Sequence, residues 1–508
     1  MKFCQPFGYY SRFSTHEVKV GTVGIGGKNP IRIQSMVNTP TEDTAATVLQ
    51  CKKLSDAGCE LIRITVKNMK DVLHFRTIKQ QLLKDRYTVP LIADVHFNPR
   101  VAIAVAEFAD KVRVNPGNFS DVSKSSQKKS FSESQFDEGV KRIHRNILPL
   151  IEVLLKNKTA LRLGVNHGSL SWRLAERYGN GPAGMVETAM EFLNIFKAEN
   201  FSDVVVSMKA SNPFTMIYST RMLVQRMHEH RMTFPLHLGV TEAGFGDEGI
   251  FRSAIGTGTL LCDGIGDTIR VSLSGNPVSE IPVCKEIIRA YPLICGTDKK
   301  DKNWPYSPFG NNSSFFGKTA IPGISIPAIL EKSPDSNSKI INTKNKSMHD
   351  LRKEIAGYYN AGNLPVFLKS AEKASVKQAI ITGALLADKL TGGWIVKDTE
   401  GYNEILCSSG MTADKTTFIS CPTCGRTSYN LEAVAMEVKE RTRHFPGLRI
   451  AIMGCIVNGP GEMENADYGI LGEPDGKVSI YKDNVCIRKH LVASEAASIL
   501  ETIIKESL

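Results

Sequence analysis

No stretch of the 508 residues approaches the roughly 18 consecutive apolar residues of a membrane-spanning helix, so no membrane association is expected. The start, Met1-Lys2-Phe3-Cys4-Gln5-Pro6, lacks an apolar signal region, and a cytoplasmic location is expected. Aromatic residues make up only 7% and are hardly interleaved with Lys and Arg, which argues against a nucleic-acid surface built on base stacking. No Gly-x-Gly-x-x-Gly follows the first apolar run, which argues against an open dinucleotide-binding sheet. At 42% hydrophobic and 23% charged residues, the chain is neither disordered, collagenous nor a small disulfide framework. Eleven cysteines without export are better read as thiols or metal ligands than as disulfides. The net charge of +11 points to an anionic partner. By itself it leaves nucleic acid, a phosphorylated metabolite and simple solubility open.

What is present is a repeat. Eight short β-rich runs, each followed by a helix-length stretch, occur at 31–36, 60–66, 89–95, 111–117, 161–166, 203–209, 235–242 and 268–275. Eight such units in about 250 residues is the arithmetic of a (β/α)8 barrel. Residues 17–25 read as a hairpin ahead of it, and the Ser/Lys/Gln-rich 120–139 as a surface loop. Past residue 295 the texture changes, and 297–317 and 331–349 read as linkers. Helix-like and strand-like pieces are expected at 349–360, 364–369, 376–390 and 393–398. Gly383 to Asp388 (GALLAD) echoes Gly258 to Asp263 (GTLLCD), which permits a remnant of a duplicated barrel. The expected organisation is an α/β chain: a barrel domain at 1–295, an inserted α/β region at 296–410 and an α+β domain at 411–508. In the last, a Cys-rich turn leads to a helix at 431–442, a strand at 448–453, a Gly/Pro loop, another strand and a final helix at 493–506.

Parallel barrel strands are covered on both faces and should be apolar. Four of these carry a cation between apolar neighbours, Arg63, Arg113, Arg162 and Arg270, and Lys209 ends a fifth. A buried unpaired guanidinium costs several kcal/mol, so each needs compensation. Structural pairing with Asp94, Glu242 and Asp267 is one reading. The other is an anion pocket at the C-terminal mouth of the barrel, with Asn115, Asn118, Asn166, His96 and Ser272 orienting neutral parts of a ligand.

Cys421-Pro422-Thr423-Cys424-Gly425 holds two thiols on one tight turn, and Cys455 lies in the loop Gly454 to Glu462 (GCIVNGPGE). No second Cys-x-x-Cys exists, so a structural zinc site would need Cys486 as its fourth ligand. Three thiolates with the carboxylate of Glu462 instead fit a [4Fe-4S] cluster whose one harder ligand can be released, leaving a Lewis-acidic, electron-donating iron. Both readings stand on residue types alone.

The motifs QSM (34–36), ADVHF (93–97), RVNPGN (113–118), GVNHGSL (164–170), LHLGVTEAG (236–244), CPTCGR (421–426) and GCIVNGPGE (454–462) together resemble the 4-hydroxy-3-methylbut-2-enyl diphosphate synthases of the methylerythritol phosphate route to isoprenoids. The resemblance implies a TIM barrel, a C-terminal [4Fe-4S] domain and a two-electron, water-releasing reduction of 2-C-methyl-D-erythritol 2,4-cyclodiphosphate. Carried over by motif, Cys421, Cys424, Cys455 and Glu462 would hold the cluster. Arg63, Arg113, Arg162, Lys209, Arg270 and Ser272 would meet the diphosphate, with Asn166 nearby and Asn458 contributed by the C-terminal domain. Asp94, His96 and Glu242 would line the same mouth, Glu242 delivering the proton. Electrons would come from reduced flavodoxin or ferredoxin, and a homodimer is expected. The insert resembles that of the plant-like, three-domain branch, in shortened form. Two other functions remain on sequence grounds: a redox-inert barrel enzyme on another diphosphate, such as a pterin-type transferase, with a structural zinc domain; or a basic zinc-knuckle nucleic-acid binder.

Overall fold

The computed structural model describes residues 10–95, 98–119, 131–295, 328–332, 339–362, 366–388, 390–411, 416–456, 459–463 and 466–507. A hairpin of β1 (Val18–Val20) and β2 (Val23–Ile25) precedes eight parallel strands. These are β3 (Arg32–Met36), β4 (Leu61–Val66), β5 (Leu91–Val95), β6 (Lys111–Val114), β7 (Ala160–Asn166), β8 (Val204–Lys209), β9 (His237–Leu238) and β10 (Thr268–Ile269). They are hydrogen-bonded in the order β8-β7-β6-β5-β4-β3-β10-β9, and a parallel bridge from Val206 to Leu236 closes the ring. Strands β4 through β8 are buried along their whole length, as the cover of helices outside and side chains inside requires. The hairpin plugs the N-terminal end: Val18, Val20 and Ile25 pack on Leu61, Ile92, Ala160 and Val205.

The insert contributes β11 (Ala328–Leu330), β12 (Lys339–Asn342), β13 (Val366–Lys369) and β14 (Gly393–Ile395), all parallel, in the order β11-β14-β13-β12. This repeats the barrel's own order β3-β10-β9-β8. Its helix Val376–Ala387 lies on the barrel helix Gly246–Cys262, and glycines set the close approach. A Cβ on Gly258 would meet Ile380 Cγ1 at 2.3 Å, and one on Gly383 would meet Ile255 Cγ2 at 2.8 Å. The two echoing segments thus pack against each other with Gly and Ile exchanging roles. At their ends, Asp263 and Asp388 are each bridged by both Arg221 and Arg352, at 2.6 to 2.9 Å and buried throughout.

The C-terminal sheet runs β15 (Thr417–Ser420), β16 (Arg449–Met453), β17 (Tyr468–Gly472), β18 (Lys477–Lys482) and β19 (Val485–Val492), the first three parallel and the rest antiparallel. It carries its own core, from Phe418 to Ile504.

Several expectations need correction. Three strands, not one, stand between the Gly/Pro loop and the last helix; β19 is an edge strand, mostly exposed, with no clean apolar alternation to reveal it. The helix Glu133–Asn157 begins inside the stretch read as a loop, started by a capping box between Ser132 and Gln135. Strand β12 lies inside the expected linker 331–349, and a further helix, Thr399–Ser409, follows the insert's last strand. Residues 120–130 and 297–317 lie outside the described residues.

Candidate active site

Side chains alternate along a strand, so residues two apart share a face. Arg63, Asp94, Arg113, Arg162, Lys209 and Arg270 accordingly project into the barrel from six different strands or their ends, and all line one pocket at the C-terminal mouth. Asn166, Glu242 and Ser272 line it too, and Cys421, Cys424 and Cys455 form its opposite wall. The C-terminal domain is therefore seated over the mouth of its own chain's barrel. Thr423 Oγ1 donates to the Gly275 carbonyl at 3.0 Å, and Ser274 Oγ to that of Cys421 at 3.1 Å. Strand β15 bridges Ala243 through Ser420, and Gly168 and Gly461 meet so closely that a Cβ on Gly461 would lie 2.1 Å from the Gly168 carbonyl oxygen.

The cations divide by partner. Arg270 is held by Glu280, with bonds of 3.2 and 3.0 Å, and its pKa is raised above the ordinary arginine value even against the opposing effect of burial. Arg113 donates to Asp94 Oδ1 at 3.4 Å and to Asn166 Oδ1 at 3.4 Å. Among the described residues, Arg162 reaches only Ser207 Oγ, at 3.1 and 3.0 Å, and Arg63 Nε only the Met36 sulfur, at 3.1 Å. Burial pushes Arg63 down to about 10, with Arg270 and Arg113 adding to the shift against Asp94. Burial and the surrounding guanidinium groups push Lys209 well below an ordinary lysine. A site whose members destabilise one another's charge favours an incoming anion.

Glu242 is 3% exposed and sits in the left-handed region, with φ of 49°, a strain of about 1–3 kcal/mol that the bridges on either side of its loop sustain. Asn115 is a turn cap, accepting from Gly117 N at 3.1 Å and donating to Ser169 Oγ at 2.7 Å. Asp267 lies at the other end of the barrel, bonded to Arg12 and Thr15, and so compensates none of the pocket's cations. His96 and Asn458 lie outside the described residues; Glu462 ends the short helix Gly459–Glu462, and its side chain and that of Asn118 are likewise outside them.

Sequence reasoning missed Arg426. It donates to Asp94 Oδ2 and to the Asp94 carbonyl, both at 3.0 Å, and so joins the cysteine turn to β5. The signal was its place directly after Cys424 and Gly425. Glu280, 245 residues from the Ser35 hydroxyl it also accepts from, carried no such signal.

Cys421, Cys424 and Cys455 are part-exposed on the pocket wall, whereas Cys51, Cys59, Cys262, Cys284, Cys295 and Cys407 are buried in the core. Burial holds the Cys421 thiol well above its ordinary pKa, and Gly454 N donates to its sulfur at 3.1 Å. A thiolate there needs a compensating positive centre. Among the described residues, no three His, Cys, Asp or Glu side chains converge as a group that could hold a single metal ion. The donor set fits an iron–sulfur cluster: three soft, part-exposed thiols on one pocket wall, of the kind that hold its irons. Among the described residues no helix is long and apolar enough to cross a membrane.

Comparison with known proteins places these features in context. The model of the GcpE TIM-barrel domain matches residues 15–285, and that of the GcpE protein C-terminal domain matches 417–506. The 4-hydroxy-3-methylbut-2-en-1-yl diphosphate synthase (flavodoxin) of Bacteroides thetaiotaomicron is 37% identical over 608 aligned positions, covering 98% of each chain. That of Phocaeicola vulgatus is 38% identical over 603, again covering 98% of each, and that of Chlamydia felis 34% over 588, covering 98% of this chain and 97% of the relative. The first alignment exceeds this chain's length by 100 positions, so the relative carries at least that many residues with no counterpart here.

Proposed function

This chain belongs to the GcpE family, and from that premise we propose that it catalyses the reductive ring opening and dehydration of 2-C-methyl-D-erythritol 2,4-cyclodiphosphate to (E)-4-hydroxy-3-methylbut-2-enyl diphosphate in isoprenoid biosynthesis. It is an oxidoreductase, and reduced flavodoxin, the donor in its relatives' names, supplies two electrons. The observation that carries the reading is a single pocket with buried cations on the barrel wall and three part-exposed thiols on the other.

Lys209, Arg162 and Arg63, whose partners are weakest, would take diphosphate oxygens, each charge-assisted bond contributing about 1.5–3 kcal/mol. Arg113, fixed by Asp94 and Asn166, would orient the same group, and Arg270, held by Glu280, would add field with little freedom to move. Ser272 and Asn166 suit neutral oxygens, and the motif resemblance adds His96 and Asn458. Cys421, Cys424, Cys455 and Glu462 would hold a [4Fe-4S] cluster, which when bound supplies electrons and a Lewis-acidic iron. Glu242 would hold the proton that leaves with the departing hydroxyl as water; its strained, bridged loop fixes the carboxyl at the mouth. The contacts of Thr423 with Gly275 and of Gly168 with Gly461 hold the C-terminal domain against the barrel mouth.

The proposed domains are the barrel (1–295), an insert built like half a barrel (296–410) and the cluster domain (411–508). Both pocket walls come from one chain, so the proposed homodimer is not needed to complete the pocket; turnover per chain should be unchanged on dilution below dimer dissociation. The test of the function is anaerobic purification followed by a visible spectrum and analysis of iron, sulfide and zinc. A brown protein with about four irons and four sulfides per chain is expected; a colourless one with stoichiometric zinc would overturn the reading.

A further inference from the structure

Beneath the pocket the barrel interior does not become apolar at once. Met36, Arg113 and Arg270 line the pocket, and the residues two positions before them, Gln34, Lys111 and Thr268, share their inward faces one layer deeper. His237 begins β9 opposite Thr268, and Arg162 reaches down from above. In register, Leu61 stands beside Gln34, and Ile92 and Ala160 stand beside Lys111; the hairpin's Val18, Val20 and Ile25 pack on these apolar neighbours.

All five are buried to 1% exposure or less. Among the described residues, none offers a hydrogen-bond partner to Lys111 Nζ, Arg162 Nη1, either ring nitrogen of His237, the Gln34 amide or the Thr268 hydroxyl. Each of these groups can donate a hydrogen bond, and the layer contains no carboxylate. Burial drives Lys111 and His237 well below their ordinary values, and the nearby Arg162 and Arg63 push both further in the same direction. An unsatisfied buried donor destabilises the fold, and an unpaired buried charge does so more. Five of them converging on one layer form a site awaiting an acceptor.

We propose that this layer binds one small monovalent anion of halide size, held by Lys111, Arg162, His237, Gln34 and Thr268, beneath the diphosphate pocket, with which it shares Arg162. A halide is the simplest ligand that all five can meet at once from β3, β6, β7, β9 and β10: Lys111, Arg162 and His237 donate, the Gln34 amide turns its nitrogen inward, and the Thr268 hydroxyl turns its proton. The anion would neutralise the floor of the pocket, so that the cations above it face the substrate rather than one another. The inference stands on the barrel interior alone and is independent of the reaction.

The test uses the full chain with its cluster. Crystals grown with bromide in place of chloride should show an anomalous peak in contact with Lys111 Nζ and Arg162 Nη1. No peak there, or a peak only in the pocket above, overturns the proposal. In solution, sodium chloride should raise the melting temperature by a few degrees over sodium gluconate at equal ionic strength, roughly what a ligand well above its Kd gives. Lys111→Met should abolish that difference, as should Thr268→Val if the first variant does not fold. A chloride response unchanged in both variants would overturn it.

Discussion

Two buried arginine clusters in this molecule have opposite character. Where the insert meets the barrel, Arg221 and Arg352 face Asp263 and Asp388, two charges against two, every pair bonded at 2.6 to 2.9 Å. Arg221 is held above its ordinary pKa there, the two aspartates outweighing burial. At the barrel mouth, Arg63, Arg113, Arg162, Lys209, Arg270 and Arg426 share Asp94, Glu242 and Glu280, and Arg63, Arg162 and Lys209 are pushed down. Both clusters lie largely out of solvent, with Arg63 and Arg426 at the mouth the least covered. A cluster that closes its own charge balance can serve as a joint, while one left positive is built for a ligand that brings the missing charge. Sequence alone permits both readings of the strand cations; the pairing pattern separates them.

That contrast can be broken most severely at the joint. Asp388→Ala leaves two buried arginines on one aspartate and should lower stability by about 3–5 kcal/mol, read from the denaturant midpoint, with KM unchanged. A variant of native stability would show the joint to be dispensable. Arg113→Ala should behave in the reverse way. Turnover should fall about tenfold to 150-fold, the loss of one charge-assisted contact, while visible cluster absorption and melting temperature stay near those of the parent. Loss of the cluster would make Arg113 structural. On the opposite wall, Glu462→Gln should impair turnover more than Cys486→Ser; the reverse order would make Cys486 the fourth cluster ligand.

The smallest effect is a pH slope. Lys209 has a folded pKa below its unfolded value, near 10.5. At low pH the amine is charged in both states and the folded protein carries the full cost of burying it. As pH rises the folded protein sheds the proton first, so ligand-free stability should climb until lysine's ordinary titration is reached. Lys209→Met should flatten this slope, and an equal slope in both proteins would remove Lys209 from the charged floor.

Much of this was legible in the sequence. The eight barrel strands followed from spacing, the helix Leu431–Thr442 from its period, and the strand cations from being polar where parallel strands should be apolar. Partners were not legible, because Glu280 for Arg270 and Arg426 for Asp94 are contacts across the fold that no local pattern encodes. The half-barrel order of the insert was hidden as well. Its strands β11 and β14 are three residues each, and only the six-residue echo at Gly383 hinted at the Gly–Ile exchange that packs it on the barrel.

The most direct test of the central claim is a single-turnover reaction. The anaerobic, cluster-loaded protein would be mixed with 2-C-methyl-D-erythritol 2,4-cyclodiphosphate, with and without reduced flavodoxin, and the diphosphates followed by phosphorus NMR. Conversion to 4-hydroxy-3-methylbut-2-enyl diphosphate only in the reduced sample is the predicted result. Cyclodiphosphate returned unchanged by reduced, cluster-intact protein, or opened equally well without a reductant, would contradict it.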